Sequence, residues 1–379
     1  MIYLDNAATT LKKPPEVAQA IVRALDSFGG VGRGVHAAAL AADASVFEAR
    51  EAVAVLLGVP SSSQVAFTSN ATEALNTALA GLTTPGDHVV TTAASHNSIL
   101  RPLYRLRDEG RISLSIAPIA QDGSLDYEAF EALLEPRASL VAVTHASNLT
   151  GDVYDVGRIA RIAHRHQALC VVDAAQTAGA WPLSMQELGA DVVCFTGHKG
   201  MFGPQGTGGL CVAKGVDVRP LKVGGSGTHS FDARHPEHMP ERLEAGTLNA
   251  HGIAGLHAGV SFVLKTGVDA ICRHDVSLAE AFRAGVQSID GVSVLGGGAD
   301  AHMGIVALNV AGIDSGELAY RLDSQFGICT RAGAHCAPLM HKALGTELRG
   351  AVRFSFSYFN TKEEVDRVID AVAAVAGAL

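Results

Sequence analysis

Residues 191–203 read DVVCFTGHKGMFG, an apolar run that ends in a histidine, a lysine and glycines. The run from Val192 to Thr196 has the length and the apolar character of a strand that is buried on both faces. Strands of this kind belong to parallel sheets that are covered by helices. The stretch therefore predicts an α/β fold, and it puts a lone lysine, Lys199, where the buried strand ends.

Six further apolar runs alternate with helical patterns in the first part of the chain. They are QVAFTS (64–69), DHVVTTAA (87–94), LSIAPI (114–119), SLVAVTHAS (139–147), LCVVDAAQ (169–176) and GGLCVAK (208–214). Residues 155–168 place Val156, Ile159 and Ile162 at helical spacing, which is typical of a helix that connects two parallel strands. The alternation predicts a parallel sheet with helices on both faces.

The pattern changes in the second half of the chain. Residues 221–252 are rich in glycine, histidine and proline and are predicted to be irregular, as segments that cover a functional site often are. A long helix is predicted at 252–267. A second block, roughly 265–379, has strand patterns of its own at 302–310 and 351–358 and an amphipathic final helix. A smaller C-terminal part thus follows the large one.

The composition narrows the class of protein. The chain has 379 residues, of which 48% are hydrophobic and 18% charged, enough for about two domains. The net charge of -9 and the lack of a basic run argue against nucleic acid as a partner. No apolar run approaches the roughly 18 residues of a membrane helix, and the first ten residues lack the order of a signal peptide. Six scattered cysteines without a C-x-x-C pair are typical of reduced, cytoplasmic thiols.

Polar residues follow five of the predicted strands. In open α/β sheets ligands bind outside the carboxyl ends of the strands, so these residues are expected to converge on one place. They are Asn70 to Thr72, His96, Asn148, Asp173 with Gln176, and His198 with Lys199. The convergence predicts a binding site at this edge of the sheet.

An anion site is predicted within this group. Ala71 and Thr72 would start a helix, whose free N–H groups and dipole favour a phosphate, although a simple capped helix start with Glu73 in its first turn explains the same residues. Lys199 could form a Schiff base with a carbonyl cofactor, and Asp173 could pair with a pyridinium nitrogen. These features together suit pyridoxal phosphate.

Several segments resemble the cysteine desulfurases, which belong to the class V aminotransferase branch of the fold-type I pyridoxal-phosphate enzymes. The segments are YLDNAATT (3–10), VVDAAQ (171–176), TGHKGMFGPQGTGGL (196–210), EAGTLN (244–249), RAGAHCAPLMH (331–341) and RFSFSYFNT (353–361). The resemblance spans nearly the whole chain. It implies a large cofactor-binding domain, 15–262, with a mostly parallel seven-stranded sheet, and a smaller α/β domain made of 1–14 and 263–379.

The resemblance also implies roles for single residues around the cofactor. Lys199 would hold pyridoxal phosphate as a Schiff base and move protons, Asp173 would pair with the pyridinium, and His96 would stack on the ring. Gln176 and Asn148 would reach the ring hydroxyl. The phosphate would be held by Ala71, Thr72, Thr196 and His198, and Thr247 would reach the phosphate of a neighbouring subunit, which implies a homodimer. Ser95 stands where the family usually has a glutamate before the histidine.

For the substrate, L-cysteine, the resemblance points to Arg353 and Cys336. Residues 351–358 alternate so that Arg353 lies opposite the apolar face, and an arginine there would bind the α-carboxylate as a fork. The α-carboxylate would also lie near Ala7 and Ala8, and the substrate near His36 and Asn148.

Cys336 would take the sulfur as a persulfide, release alanine and pass the sulfur to an acceptor protein. His335 and Arg331 are expected to favour the thiolate, which is the form that attacks sulfur. The motif is closest to the SUF-type and selenocysteine lyase-like subgroup, although Ala334 replaces a histidine that is usual there.

Other interpretations stay open. A selenocysteine lyase could use the same residues, whereas another class V enzyme, such as an aminotransferase or epimerase, would need no thiol at Cys336. The 16 histidines, with His229, His235 and His238 in the irregular segment, allow a metal site, but no H-E-x-x-H or paired-cysteine spacing occurs. A non-catalytic scaffold is a further alternative, as is a plain surface ion pair for Arg353.

Overall fold

The computed structural model describes residues 1–32, 34–135, 137–228 and 231–378. Its strands are β1 (Ile2–Tyr3), β2 (Val65–Thr68), β3 (Asp87–Thr92), β4 (Ile112–Ala117), β5 (Leu140–Thr144), β6 (Asp152–Val153), β7 (Leu169–Asp173), β8 (Val192–Thr196), β9 (Gly208–Val212), β10 (Val292–Leu295), β11 (Ala301–His302), β12 (Ile305–Val310), β13 (Ile328–Cys329), β14 (Arg331–Gly333) and β15 (Ala351–Ser355). Its helices are α1 (Pro15–Ser27), α2 (Ala37–Leu56), α3 (Ala71–Leu82), α4 (Asn97–Asp108), α5 (Tyr127–Ala132), α6 (Val156–Arg165), α7 (Met185–Leu188), α8 (Ala250–Thr266), α9 (Val268–Gln287), α10 (Ser315–Phe326), α11 (Pro338–Ala343) and α12 (Lys362–Gly377).

Seven strands form the main sheet, in the order β2-β9-β8-β7-β5-β3-β4. Strand β9 runs antiparallel to both of its neighbours, and the other neighbouring pairs are parallel. Both faces are buried: Val171 and Cys194 pack into one apolar cluster, and Val172 and Phe195 pack into the other. The predicted α/β fold, with its seven strands and mostly parallel sheet, is confirmed.

A second sheet, antiparallel and in the order β10-β12-β15-β14, forms the smaller part. Val352 and Phe354 on β15 pack with Phe282 of α9 in a separate apolar cluster, to which α10 and α12 also contribute. Strand β1 pairs with β13, so the N-terminus joins this part of the molecule. We propose the domain division 15–262 against 1–14 with 263–379, with the second boundary moved to Gly267, because residue 262 lies inside α8.

The irregular segment is confirmed where the structure describes it. Between the end of β9 and the start of α8, the described residues form a single short 3₁₀ turn, Glu241–Leu243, and no strand. His229 and Ser230 lie outside the described residues.

The carboxyl ends of β5, β7 and β8 lie side by side in the sheet. Thr144 is in register with Asp173, and Asp173 is in register with Cys194. The chain after β8 then turns back tightly, because Gly200 lies so close to the backbone of Ala178 that a Cβ would be only 2.7 Å from its carbonyl oxygen. This turn sets Lys199 beside the ends of the central strands.

Candidate active site

A cavity of about 230 Å³ lies at the carboxyl ends of β2, β5, β7 and β8. Twelve of the fifteen residues that the sequence analysis assigned to cofactor, substrate or catalysis line it. They are Ala7, Ala8, Ala71, Thr72, His96, Asn148, Asp173, Gln176, Thr196, His198, Lys199 and Arg353. The expected convergence of the strand ends therefore occurs. Cys336, Thr247 and His36 are not among the lining residues.

Four further residues line the cavity without having been assigned to this pocket. Thr144 ends β5 and Ala175 follows β7 by two residues, so the strand-end argument, applied more widely, would have found both. Ser98 and Arg331 carried no such signal, because they approach from α4 and from the small sheet.

Asp173 and Lys199 form the charged centre of the cavity. Asp173 is 4% exposed, and its Oδ1 accepts a hydrogen bond from the backbone N–H of Ala175 at 2.9 Å. Burial raises the pKa of its carboxyl, and no cation within the described residues forms an ion pair with it. Burial lowers the pKa of Lys199 to about 8, against the opposing effect of Asp173, and Arg353 and Arg331 add to the lowering. The amine is therefore easier to deprotonate than that of an ordinary lysine.

His96 is held as a neutral ring. It caps α4, and its Nδ1 accepts a hydrogen bond from the backbone N–H of Ser98 at 3.0 Å. Burial first, and then the nearby Lys199, lower its pKa to about 4. The hydroxyl of Ser95 is hydrogen-bonded to Thr91 at 2.9 Å inside the core, and it makes no hydrogen bond to this ring within the described residues. Support for His96 comes from Ser98 instead.

The start of α3 supplies N–H donors that have no partner among the described residues, at one end of the cavity. Asn70 caps the helix by accepting a hydrogen bond from the N–H of Glu73 at 2.9 Å. The N–H groups of Ala71 and Thr72 belong to the first turn and have no partner in the helix. The Nδ1 of His198 is buried and has no hydrogen-bond partner within the described residues, and burial lowers the pKa of this ring to about 4.

Two arginines form the wall on the side of the small sheet. Arg353 is 1% exposed, so the alternative of a surface ion pair is wrong. Its Nη1 donates to the carbonyl of Asn148 at 2.9 Å, its Nη2 pairs with Asp5 at 2.6 Å, and its Nε is buried and unpartnered within the described residues. Arg331 faces Arg353 in register, and its guanidinium makes no hydrogen bond or ion pair with described residues. The guanidinium of Arg353 is thus held by Asn148 and Asp5, whereas that of Arg331 has no partner among the described residues.

Cys336 lies on a loop that is tied to the cavity wall by its backbone. The carbonyl of Cys336 accepts a hydrogen bond from the N–H of Asn97 at 2.9 Å, and the carbonyl of His335 accepts one from Asn148 Nδ2 at 2.6 Å. Both loop residues have left-handed backbones, with φ of 55° and 50°, which costs about 1–3 kcal/mol each and needs such ties to persist. These bonds dock the loop, with its half-buried thiol, against Asn148, which lines the cavity.

His335 does not supply the expected positive charge. Its Nε2 donates to the carbonyl of Arg331 at 3.0 Å, and its Nδ1 is buried without a partner within the described residues. Burial, followed by the repulsion of Arg353, lowers the pKa of the ring to about 3. The expectation that His335 favours the thiolate by its charge is wrong, because the ring is neutral in this setting.

Thr247 and His36 are not part of this cavity. Thr247 lines a second cavity of about 310 Å³, together with Phe47 and Arg50. His36 caps α2, where its Nδ1 accepts a hydrogen bond from the N–H of Ala39 at 3.4 Å.

The described residues offer neither a cluster of metal ligands nor a membrane-spanning helix. These residues contain no group of three or more His, Cys, Asp or Glu side chains that could hold a metal ion. His229 of the proposed histidine group lies outside them. Within the same parts of the chain, no helix has the length and apolarity needed to cross a membrane.

Comparisons with known proteins agree with this fold. The family model for aminotransferase class-V matches residues 2–368. The chain is 37% identical to a probable cysteine desulfurase of Methanothermobacter thermautotrophicus, over 99% of this chain and 95% of that protein. Its fold matches the apo structure of the cysteine desulfurase of Thermococcus onnurineus NA1, with a TM-score of 0.93, 35% identity and coverage of 100% and 95%.

A third match is the cysteine desulfurase CsdA of Escherichia coli, solved in an S-sulfonic acid form. The TM-score is 0.89 and the identity 30%, with 100% of this chain and 95% of that chain covered. The chain therefore belongs to the class-V aminotransferases, whose fold-type I architecture it has. Within them it belongs to the cysteine desulfurase family.

Proposed function

We propose that this chain is a pyridoxal-phosphate-dependent cysteine desulfurase, which converts L-cysteine to L-alanine and takes the sulfur onto Cys336. The observation that carries the proposal is the cavity itself. It combines a buried carboxylate without a cationic partner among the described residues, a lysine of low pKa, and a docked loop that carries a half-buried thiol. The family of the chain supports the same activity.

The residues of the cavity fit pyridoxal phosphate. Lys199 offers an amine for its aldehyde, Asp173 a buried carboxylate for its ring nitrogen, and the N–H groups of Ala71 and Thr72 a site for its phosphate. The remaining residues proposed to hold it are Thr196 and His198 at the phosphate, His96 at the ring face, and Gln176 and Asn148 at the ring hydroxyl. When bound, the cofactor stabilises negative charge that develops on the substrate carbon next to the amino group.

Lys199 is proposed to carry protons. Because its pKa is lowered to about 8, a usable fraction of its amine is neutral near physiological pH and can accept a proton. The same Nζ, once protonated, can return the proton to the carbon fragment. Its place beside Asp173, which favours the charged amine, supports this exchange.

The substrate carboxylate is proposed to bind between the two arginines. The ion pair with Asp5 and the bond to Asn148 orient Arg353, and its unpartnered Nε is left to donate. Arg331, the register partner of Arg353 on the adjacent strand β14, adds a guanidinium that makes no hydrogen bond or ion pair with described residues. Ala7 and Ala8, whose small side chains also line the cavity, leave room for the carboxylate beside them.

Cys336 is proposed as the nucleophile. Its sulfur bonds to the substrate sulfur, the carbon–sulfur bond breaks, and the carbon fragment gains a proton and leaves as alanine. The overall balance is cysteine plus the Cys336 thiol giving alanine plus the Cys336 persulfide, with no external oxidant or reductant. The hydrogen bonds that tie the loop to Asn97 and Asn148 support the transfer, because they keep the thiol next to the cavity.

A homodimer is also proposed, with Thr247 serving the phosphate site of the partner. In support, α1 and α2 expose apolar side chains that a second subunit would cover, among them Leu25, Leu40 and Phe47, and Phe47 shares its cavity with Thr247. Light scattering should give twice the mass of the 39.2 kDa chain, and Phe47→Glu should lower it. A monomer that binds the cofactor fully would contradict the proposal.

The persulfide is proposed to pass to a sulfur-acceptor protein in the cytoplasm. All six cysteines are free, which suits a reducing compartment. Persulfide on Cys336 should therefore be discharged by a thiol-bearing acceptor as well as by a small reductant.

The decisive experiment is alanine release from L-cysteine in the presence of a reductant. We expect Cys336→Ala to lose nearly all activity while keeping the absorption of the bound cofactor, whereas Cys272→Ala, a matched half-buried cysteine, should stay active. If Cys336→Ala is as active as the unmodified chain, Cys336 is not the nucleophile and another class V reaction becomes the favoured function. A parallel assay with L-selenocysteine distinguishes a cysteine desulfurase from a selenocysteine lyase.

A further inference from the structure

Ser98 connects two parts of the cavity that have separate roles in the proposed function, on which this inference rests. Its Oγ is 2.9 Å from Nδ1 of His96, at the start of α4. The same Oγ is 2.8 Å from Oγ1 of Thr72, in the first turn of α3. A single hydroxyl therefore bridges the residue at the ring face and a residue at the phosphate end.

The direction of these hydrogen bonds follows from the donors that are present. The backbone N–H of Ser98 points at Nδ1 of His96, so this nitrogen has no proton and can only accept. The proton of the neutral ring is then on Nε2, which has no partner within the described residues. The hydroxyl of Ser98 can donate to His96, and Thr72 can in turn donate to Ser98.

An anion at the start of α3 would reverse this order. Each hydroxyl has one proton, so a Thr72 that donates to a phosphate oxygen can no longer donate to Ser98. The 2.8 Å contact between Ser98 and Thr72 then contains a proton only if Ser98 donates to Thr72, and that donation removes the hydroxyl proton from His96. Nδ1 of His96 keeps only the backbone donor in the anion-bound state.

We propose that Ser98 is a positioning residue whose one hydroxyl proton moves between His96 and Thr72, so that phosphate binding at α3 changes the basicity of the His96 ring. The charged groups that face this ring are Lys199 and three arginines, Arg331, Arg101 and Arg353. Asp173 and His198 line the same cavity. None of them contributes a hydroxyl, so the effect of Ser98 can be separated from theirs by removing its Oγ.

The test is ¹⁵N-histidine NMR of the cofactor-free protein, titrated with pH in the presence and absence of inorganic phosphate. The His96 signal is identified by its loss in His96→Gln. In Ser98→Ala without phosphate, the pKa of His96 should rise by about 0.5 to 1, the value of one neutral hydrogen bond. The further rise caused by phosphate should be smaller in Ser98→Ala than in the unmodified chain by a similar amount.

Controls separate the hydroxyl from other causes. Ser98→Thr keeps the hydroxyl and should behave like the unmodified chain, and Ser324→Ala, on the surface of α10, should have no effect. A His96 pKa that is equal in Ser98→Ala and the unmodified chain, or that ignores phosphate in the unmodified chain, would overturn the inference. Because the readout needs neither cofactor nor substrate, failure of alanine formation would count against the proposed function and not against this relay.

Discussion

The two walls of the cavity are built in different ways. The wall formed by the main sheet consists of residues at or just after strand ends. Of its key groups, Asp173 is the last residue of β7 and Lys199 follows the neighbouring strand β8. The opposite wall belongs to the small sheet and a loop, where side chains are fixed by contacts between distant parts of the chain. Arg353 is held by Asp5 and Asn148, and the Cys336 loop by Asn97 and Asn148. The first wall is positioned by topology and the second by specific hydrogen bonds.

This difference indicates that the two walls have different functions. The sheet wall offers buried, precisely neighbouring groups that suit a fixed cofactor. The small-sheet wall offers a thiol on a loop with two left-handed residues, held by a few hydrogen bonds that can be broken and remade. We expect substitutions in the first wall to abolish the chemistry. Substitutions in the second wall, apart from those of Cys336 itself, are expected to change substrate binding or access to the thiol.

The largest effect is expected for Lys199→Ala. Because the variant loses both the amine for the cofactor and the carrier of protons, alanine formation should fall by roughly 10³-fold or more. Circular dichroism should show an unchanged fold, since the side chain only lines the cavity. Residual activity within tenfold of the unmodified chain would show that the sheet wall does not carry the chemistry.

Arg353→Lys should act mainly on substrate binding. A lysine cannot reproduce the paired bonds to Asp5 and Asn148 or the fork toward a carboxylate, so KM for cysteine should rise about 10- to 100-fold. Arg331→Lys keeps the charge at an uncommitted position and should raise KM less. Steady-state kinetics of the two variants compare the arginines directly. A larger rise of KM in Arg331→Lys than in Arg353→Lys would show that Arg331 contributes more to substrate binding.

Asn148→Ala should loosen the Cys336 loop. The carbonyl of His335 would lose its donor, at a cost of about 1–3 kcal/mol to the docked state. Cys336 should then react faster with a thiol reagent in the cofactor-free protein, measured in a background where Cys272 and Cys329 are replaced by serine. An unchanged labelling rate would mean that the Asn97 contact alone holds the loop.

The smallest expected effect is on the stability of the folded chain in acid. It can be compared for two buried histidines, one beside the main sheet and one on the Cys336 loop. The pKa is lowered from about 6.5 to about 4 for His145 beside the main sheet, and to about 3 for His335, in both cases mainly by burial. The unfolded chain therefore binds more protons than the folded chain below about pH 6.5, and stability is retained above that pH and lost as the pH falls toward 4.

Denaturant unfolding between pH 7 and pH 5 checks this expectation. His145→Gln and His335→Gln should each flatten the decline, by about 1–2 kcal/mol at pH 5. If only one of them does so, the two regions unfold separately in acid. If neither variant changes the decline in stability, other titratable groups cause it.

Much of the fold could be predicted from local pattern. Seven apolar runs became the seven strands of the main sheet, because strands buried on both faces must be continuously apolar. Lys199, Asp173 and His96 could be found because the carboxyl ends of parallel strands meet at one edge. Ser98 and Arg331 could not be placed in the cavity from sequence, because their neighbours there are set by how α4 and the small sheet pack.

The sequence alone determines the strands of the main sheet, the residue types at their carboxyl ends and the presence of the thiol. Each of these features depends on residues that are close together in the chain. Three properties arise only when distant segments meet: the pairing of Arg353 with Asp5, 348 positions apart, the docking of the Cys336 loop on Asn148, and the neutral state of His335. The physical reason is that burial and hydrogen-bond partners, which set charge and position, are properties of the packed chain and not of any one segment.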